Sequence, residues 1–283
     1  MIKVRIAGVP EHFNLPWHMA IEEGAFADKG IDLQWEEVPE GTGRMCDMLA
    51  NEQTDLAIIL TEGIIKSIAE GNEVRILQEY ISTPLLWGVH VAYGSPFTDT
   101  SELEGSKVAI SRFGSGSHLM AFVHAQKKGW DTEDLKFEVV NTLEGAVKSL
   151  QAGWSDYFMW EHFTTKPLVD EHIFRRLEDC PTPWPCFVIA ARQSFCDENQ
   201  QLVSEILNTI NGYTREFKQI PSIDRTLANR YKQQLEDIRE WLSKTEWSQK
   251  QIDRQVIDNV INTLFDLNLI SNKINPEDIL TNQ

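Results

Sequence analysis

The chain has 283 residues, 42% of them hydrophobic, which is enough to bury a substantial core and long enough for two lobes. Its 26 basic residues against 43 acidic ones leave a formal net charge of -17, which repels phosphate backbones and anionic surfaces and excludes nucleic acid as a partner. No apolar run reaches the roughly 18 to 20 residues that span a bilayer, and Cys46, Cys180, Cys186 and Cys196 form no CxxC pair, so neither membrane insertion nor a disulfide scaffold is expected.

The chain opens MIKVRIAG, where a mature first strand would start, with no basic region, apolar stretch and cleavage site of a leader. Read as written, the protein is cytoplasmic; with a leader removed, it would be periplasmic. Lys3 to Ala7 reads as a buried strand, and Pro16 sits near the start of a helix that Gly24 and Gly30 end. Ile31 to Glu36 reads as a second strand, Gly43 to Asn51 as a helix, Asp55 to Leu60 as a third strand and Glu62 to Glu70 as a helix stopped by Gly71. A repeated strand and helix order implies a parallel sheet.

After a strand at Trp87 to Tyr93 the pattern restarts. Lys107 to Ile110, Phe137 to Val140 and Asp156 to Met159 read as strands, separated by helices at Ser117 to Lys128 and Leu143 to Ala152. Two similar blocks mean two similar lobes. Cys186 to Ala191 forms a second crossing strand and leads into C-terminal helices. Their stripes, Leu202 to Tyr213 and Ile252 to Leu264, recur at helical spacing and are expected to pack on the first lobe. The expected division is residues 1–92 and 187–283 for the first lobe and 93–186 for the second, with hinges near Val91 and Phe187.

The run AIEEGAFADKGIDL, then GTGRMCDMLANEQTDLAII, then LEGSKVAI and GAVKSLQAGWSDYF, resembles the substrate-binding proteins of nitrate, taurine, alkanesulfonate and thiamine-precursor transport over most of residues 1–195. The resemblance implies an α/β chain with the two-lobed type II periplasmic-binding-protein fold, each lobe a mainly parallel sheet flanked by helices, with the C-terminal helices on the first lobe. It also implies a solute-binding protein that closes on a small organic ligand with an anionic or polar end, with a transporter permease as partner if the protein is exported. The segments it directs to the ligand are His12 to Trp17, Glu40 to Arg44, Leu60 to Gly63, Ser111 to His118, Trp160 to His162 and Thr182 to Cys186.

Within these segments, Ser115, Gly116 and Ser117 stand between a strand and a helix, where backbone N–H groups, hydroxyls and the positive helix end suit an anionic or carbonyl group. Arg112 offers a bidentate contact to the same group. Gly41 and Gly43, flanking Thr42, allow close backbone approach from the other lobe, and Thr61 lies in the loop after the third strand. His12 and Trp17 follow the first strand. Trp160 and Trp184 offer flat apolar faces to a ring, and Glu161 stands beside Trp160. Carboxylates at these loop mouths, Glu40, Glu62 and Glu161, are expected to be solvated.

The seven histidines show no metal spacing such as HExxH, and no GxSxG marks a nucleophile, so neither a metal, a cofactor nor a catalytic residue is assigned. The resembled superfamily also holds the fungal synthase that makes the pyrimidine of thiamine. Its lysine and histidine positions fall on Ile59 and Gly63 here, and its cysteine-rich loop on PTPWPCF, where Cys186 is the one thiol. That reaction is therefore not expected. The alternative to a solute-binding protein is a cytoplasmic enzyme or sensor of thiamine-related metabolism on the same fold.

Overall fold

The structure, a computed structural model, describes residues 1–280 and divides into two units. The first unit opens with β1 (Ile2–Gly8), a 3-10 turn at His12–Asn14 and α1 (Leu15–Glu22). It continues through β2 (Ile31–Glu37), α2 (Thr42–Ala50), β3 (Leu56–Leu60), α3 (Thr61–Ala69) and β4 (Val74–Ile81). The chain then enters the second unit with β5 (Leu86–Ala92), β6 (Lys107–Ile110), α4 (Gly116–Lys128), β7 (Lys136–Val139), α5 (Leu143–Ala152), β8 (Tyr157–Glu161), α6 (Lys166–Asp170) and β9 (Phe174–Pro181). It returns to the first unit through β10 (Phe187–Arg192), α7 (Gln193–Glu198), α8 (Gln200–Glu216), α9 (Ile223–Tyr231), α10 (Leu235–Lys244) and α11 (Arg254–Asp266).

Both sheets follow one plan. The order in the first is β2-β1-β3-β10-β4 and in the second β7-β6-β8-β5-β9. In each, three neighbouring strands are parallel, and one antiparallel strand, β10 or β5, lies between the third of them and the edge strand. The central strands are apolar on both faces because helices cover both: β3 reads LAIIL with four of its five residues buried, and β10 is buried except at Arg192.

The unit boundaries correct the sequence expectation. They fall between Thr83 and Pro84 and between Pro183 and Trp184, not at 92/93 and 186/187. The reason is pairing: all of β5, including Val91, is bonded to β8 and β9 and so belongs wholly to the second unit. Likewise Phe187 lies inside the first sheet, opposite Leu60 and Ile81.

The first unit is thus made from two distant stretches of chain, and an ion cluster around the buried Asp55 joins them. Asp55, just before β3, accepts from Arg5 Nη2 of β1 at 2.8 Å and from Arg192 Nη2 of β10 at 2.7 Å. Burial alone would raise the Asp55 carboxyl, but the two arginines outweigh it and hold it below the usual carboxylate range. The C-terminal stripes pack on this unit: α8 lies against α1 and α11 against α3, with Val203, Ile206 and Ile210 of α8 and Ile257, Val260, Ile261 and Leu264 of α11 buried. Each such side chain contributes about 1.5 to 3 kcal/mol on burial. In the second unit, Ala109, Ala146, Leu150, Phe158 and Phe174 form a buried cluster between α5 and the sheet.

Candidate functional site

In an open α/β sheet, ligand-binding loops stand outside the carboxyl ends of the parallel strands. In the first unit those ends belong to β1, β2 and β3, and the start of β10 lies beside them because Phe187 pairs with Leu60. Gly41, capping α2, has φ +80° and ψ -158°, a conformation that is essentially glycine's alone, and a Cβ there would meet nothing within 4 Å. Beside it, α2 and α3 begin almost in contact. A Cβ on Gly63 would fall 2.1 Å from Thr42 Cγ2, so glycine is what lets Thr42 rest on the first turn of α3.

The returning chain is fastened to the same place. The Thr61 hydroxyl donates to the Pro185 carbonyl at 2.6 Å, and the Thr61 N–H donates to the Cys186 carbonyl at 3.0 Å. One residue on, Trp184 Nε1–H donates to Glu62 Oε2 at 2.8 Å. Gly41, Thr42, Thr61 and Trp184, named from sequence in four separate segments, are therefore gathered around the α2 and α3 starts, with Gly43 one residue further along α2.

Glu62, read from the sequence as a solvated carboxylate and not as a ligand contact, stands out in the structure. Its residue is 2% exposed, against the expectation of a solvated carboxylate, and it meets the N–H edge of the buried Trp184 ring from the first turn of α3. Burial pushes its carboxyl up to about 7, with the Trp184 bond and a backbone bond opposing that rise only in part. The second oxygen, Oε1, is buried without a hydrogen-bond partner. The available signal was the placement of an acidic residue two positions after the apolar strand LAIIL, where solvent is scarce.

His12 and Trp17, which follow β1, are both buried. Trp17 is fully buried and packs near-parallel to Phe26 at 6.0 Å and against Tyr80. His12 is buried against Trp241 at 4.1 Å and Phe13 at 5.1 Å, and its Nε2 has no partner. Burial holds its pKa down to about 3, so the ring is neutral at physiological pH.

In the second unit the corresponding strand ends carry Ser111 to Ser117 and Glu161. Ser115 caps α4, accepting from the His118 N–H at 3.4 Å while its own hydroxyl donates to the Arg112 carbonyl at 2.7 Å. The Ser117 hydroxyl accepts from the Ser111 N–H at 2.9 Å and lies 3.1 Å from Ser115 Oγ. The serine side chains thus build the loop from within, and the first-turn amides of Gly116 and Ser117 are the outward donors of the helix end. Arg112 is partly exposed on the same loop.

Glu161 is 4% exposed, again not solvated: Thr164 donates to its Oε2 from both N–H and hydroxyl, at 2.6 and 2.8 Å, and burial raises its carboxyl. Trp160 stacks on Phe158 at 5.3 Å and meets Trp87 edge-on, which places its ring on the apolar core of this unit. Elsewhere, a cavity of about 850 Å³ beside β4 and α8 is lined by Arg75, Gln78, Asp197 and Asn211 among others, and none of the residues above lines it.

A family model described as Ca3427-like PBP matches residues 87–180. Among solved structures, the CA3427 gene product of Candida albicans, reported with the generic periplasmic binding protein fold, is 26% identical, with 99% of this chain and 96% of that one covered and a TM-score of 0.90. The alkanesulfonate-binding protein SsuA from Xanthomonas axonopodis pv. citri, bound to MOPS, is 14% identical over 99% and 98% of the two chains, with a TM-score of 0.84. The aliphatic sulphonate binding protein SsuA from Escherichia coli is 17% identical over 100% and 92%, with a TM-score of 0.75. No curated protein matches the chain in sequence.

Proposed function

Because the chain is a member of the type II periplasmic-binding-protein-like superfamily, we propose that it is a solute-binding protein whose ligand is a small organic molecule contacted by the strand-end loops. The observation that carries this reading is the convergence of Gly41, Thr42, Thr61, Glu62 and Trp184 at the carboxyl ends of β2 and β3, around a buried carboxyl oxygen with no partner. A buried carboxyl oxygen without a partner is costly and calls for an explanation beyond packing. The similarity to sulfonate-binding proteins supports a ligand with an anionic or polar end.

The test is thermal unfolding of the protein against sulfonates, nitrate, carboxylates, aminopyrimidines and thiamine, followed by mass spectrometry of the denatured protein for any molecule carried through purification. A ligand at 100 times its dissociation constant adds about 2.7 kcal/mol, and a saturable upward shift is the expected result. No shift with any compound and no carried molecule would overturn the solute-binding reading.

A further inference from the structure

We infer that Glu62 is a ligand-reading residue of the first unit, and that the group it reads is a nitrogen head bearing N–H donors, an amidine or a protonated amine. This rests on the solute-binding reading and specifies its ligand. The carboxyl is held in one orientation, since Trp184 Nε1–H occupies Oε2 at 2.8 Å. The other oxygen is left buried and unsatisfied, and an ionised carboxylate has only acceptor sites to offer. Among the described residues no charged side chain acts on it; burial, a backbone bond and Trp184 are the influences it feels. A partner for the ionised form is therefore a donor, and the strongest donor to a desolvated carboxylate is a cationic N–H.

The surroundings admit one. Gly63, the next residue of α3, is partly exposed, and it touches Thr42 at the start of α2, so Glu62 lies in the helix turn that the β2 and β3 loops frame. An anion would meet repulsion there instead.

The test is calorimetric titration of the wild type and Glu62→Gln with four probes of one shape: benzamidinium, benzamide, benzoate and benzenesulfonate, each from pH 6 to 8. The wild type is expected to bind benzamidinium at least tenfold more tightly than benzoate. Its affinity for benzamidinium should rise as pH rises through about 7 and then level, because a cation binds the ionised carboxylate. Glu62→Gln should lose at least tenfold for benzamidinium and lose the pH dependence, while Trp184→Phe, which keeps the carboxylate, should lose less and keep it. Preference for benzoate or benzenesulfonate, affinity that falls with rising pH, or an unchanged Glu62→Gln would each overturn the inference. Silence of all four probes would overturn it too, and would leave the solute-binding reading to its own wider panel.

Discussion

A carboxyl whose folded pKa lies well above its unfolded value leaves a signature in stability as well as in binding. For Glu62 the two values are about 7 and 4.5. The folded state binds the proton more tightly, so its advantage is full below 4.5 and is lost as pH rises through about 7, a difference of roughly 3 kcal/mol. Glu62→Gln cannot ionise. Denaturant unfolding should find it equal to the wild type near pH 4.5 and more stable by up to roughly 3 kcal/mol at pH 8; equal stability at both ends would mean that water reaches the carboxyl. His12 acts in the opposite direction, since a ring held near 3 withdraws stability as pH falls below 6.5. Neither environment was legible in the sequence. Glu62 and Trp184 are 122 positions apart, and His12 is buried by Trp241 of α10. What hides a residue is supplied by chain that local patterning does not connect to it.

At the scale of elements, the sequence was a much better guide. The helix expected at Leu143 to Ala152 is α5 residue for residue, and β2, α2 and β6 begin or end within a residue or two of their expected limits. Such signals are local: a glycine ends a helix, a capping side chain starts one, and apolar spacing sets the period between them. The same locality explains where the reading of the Ser115 loop fell short. Its position between β6 and α4 was visible, whereas the bonds of Ser115 and Ser117 to Arg112, Ser111 and each other depend on a folded loop. Ser115→Ala removes the α4 cap and should cost about 1 kcal/mol in thermal or denaturant unfolding. A cost near zero would assign the start of α4 to its tertiary contacts.

For the whole molecule, the two-unit plan followed from the repeated strand and helix order, but the boundaries did not. A strand pattern does not say which sheet a strand joins, and β5 joined the second. The second unit is one continuous stretch, residues 84–183, with all five of its strands and its own buried cluster. Expressed alone, residues 84–183 should unfold cooperatively with a far-UV circular dichroism spectrum of mixed helix and strand; a non-cooperative melt would show that this unit depends on the first. Joining Thr83 to Trp184 through a short linker should leave the first unit folded, since the Cys186 N–H already donates to the Thr83 carbonyl at 3.2 Å.

The place of β10 in the first sheet has a consequence for synthesis. Because β10 lies between β3 and β4, that sheet stays split into two pieces until residues 187–192 have left the ribosome. The stretch 84–183 emerges before them and carries everything its own sheet requires. At a translation rate of about 5 to 20 residues per second, the nascent chain waits several seconds with β4 unpaired along the edge that β10 will occupy. The part begun second is then the part finished first, and a chaperone that shields the exposed edges of β3 and β4 during that interval would find its substrate in the interrupted first unit.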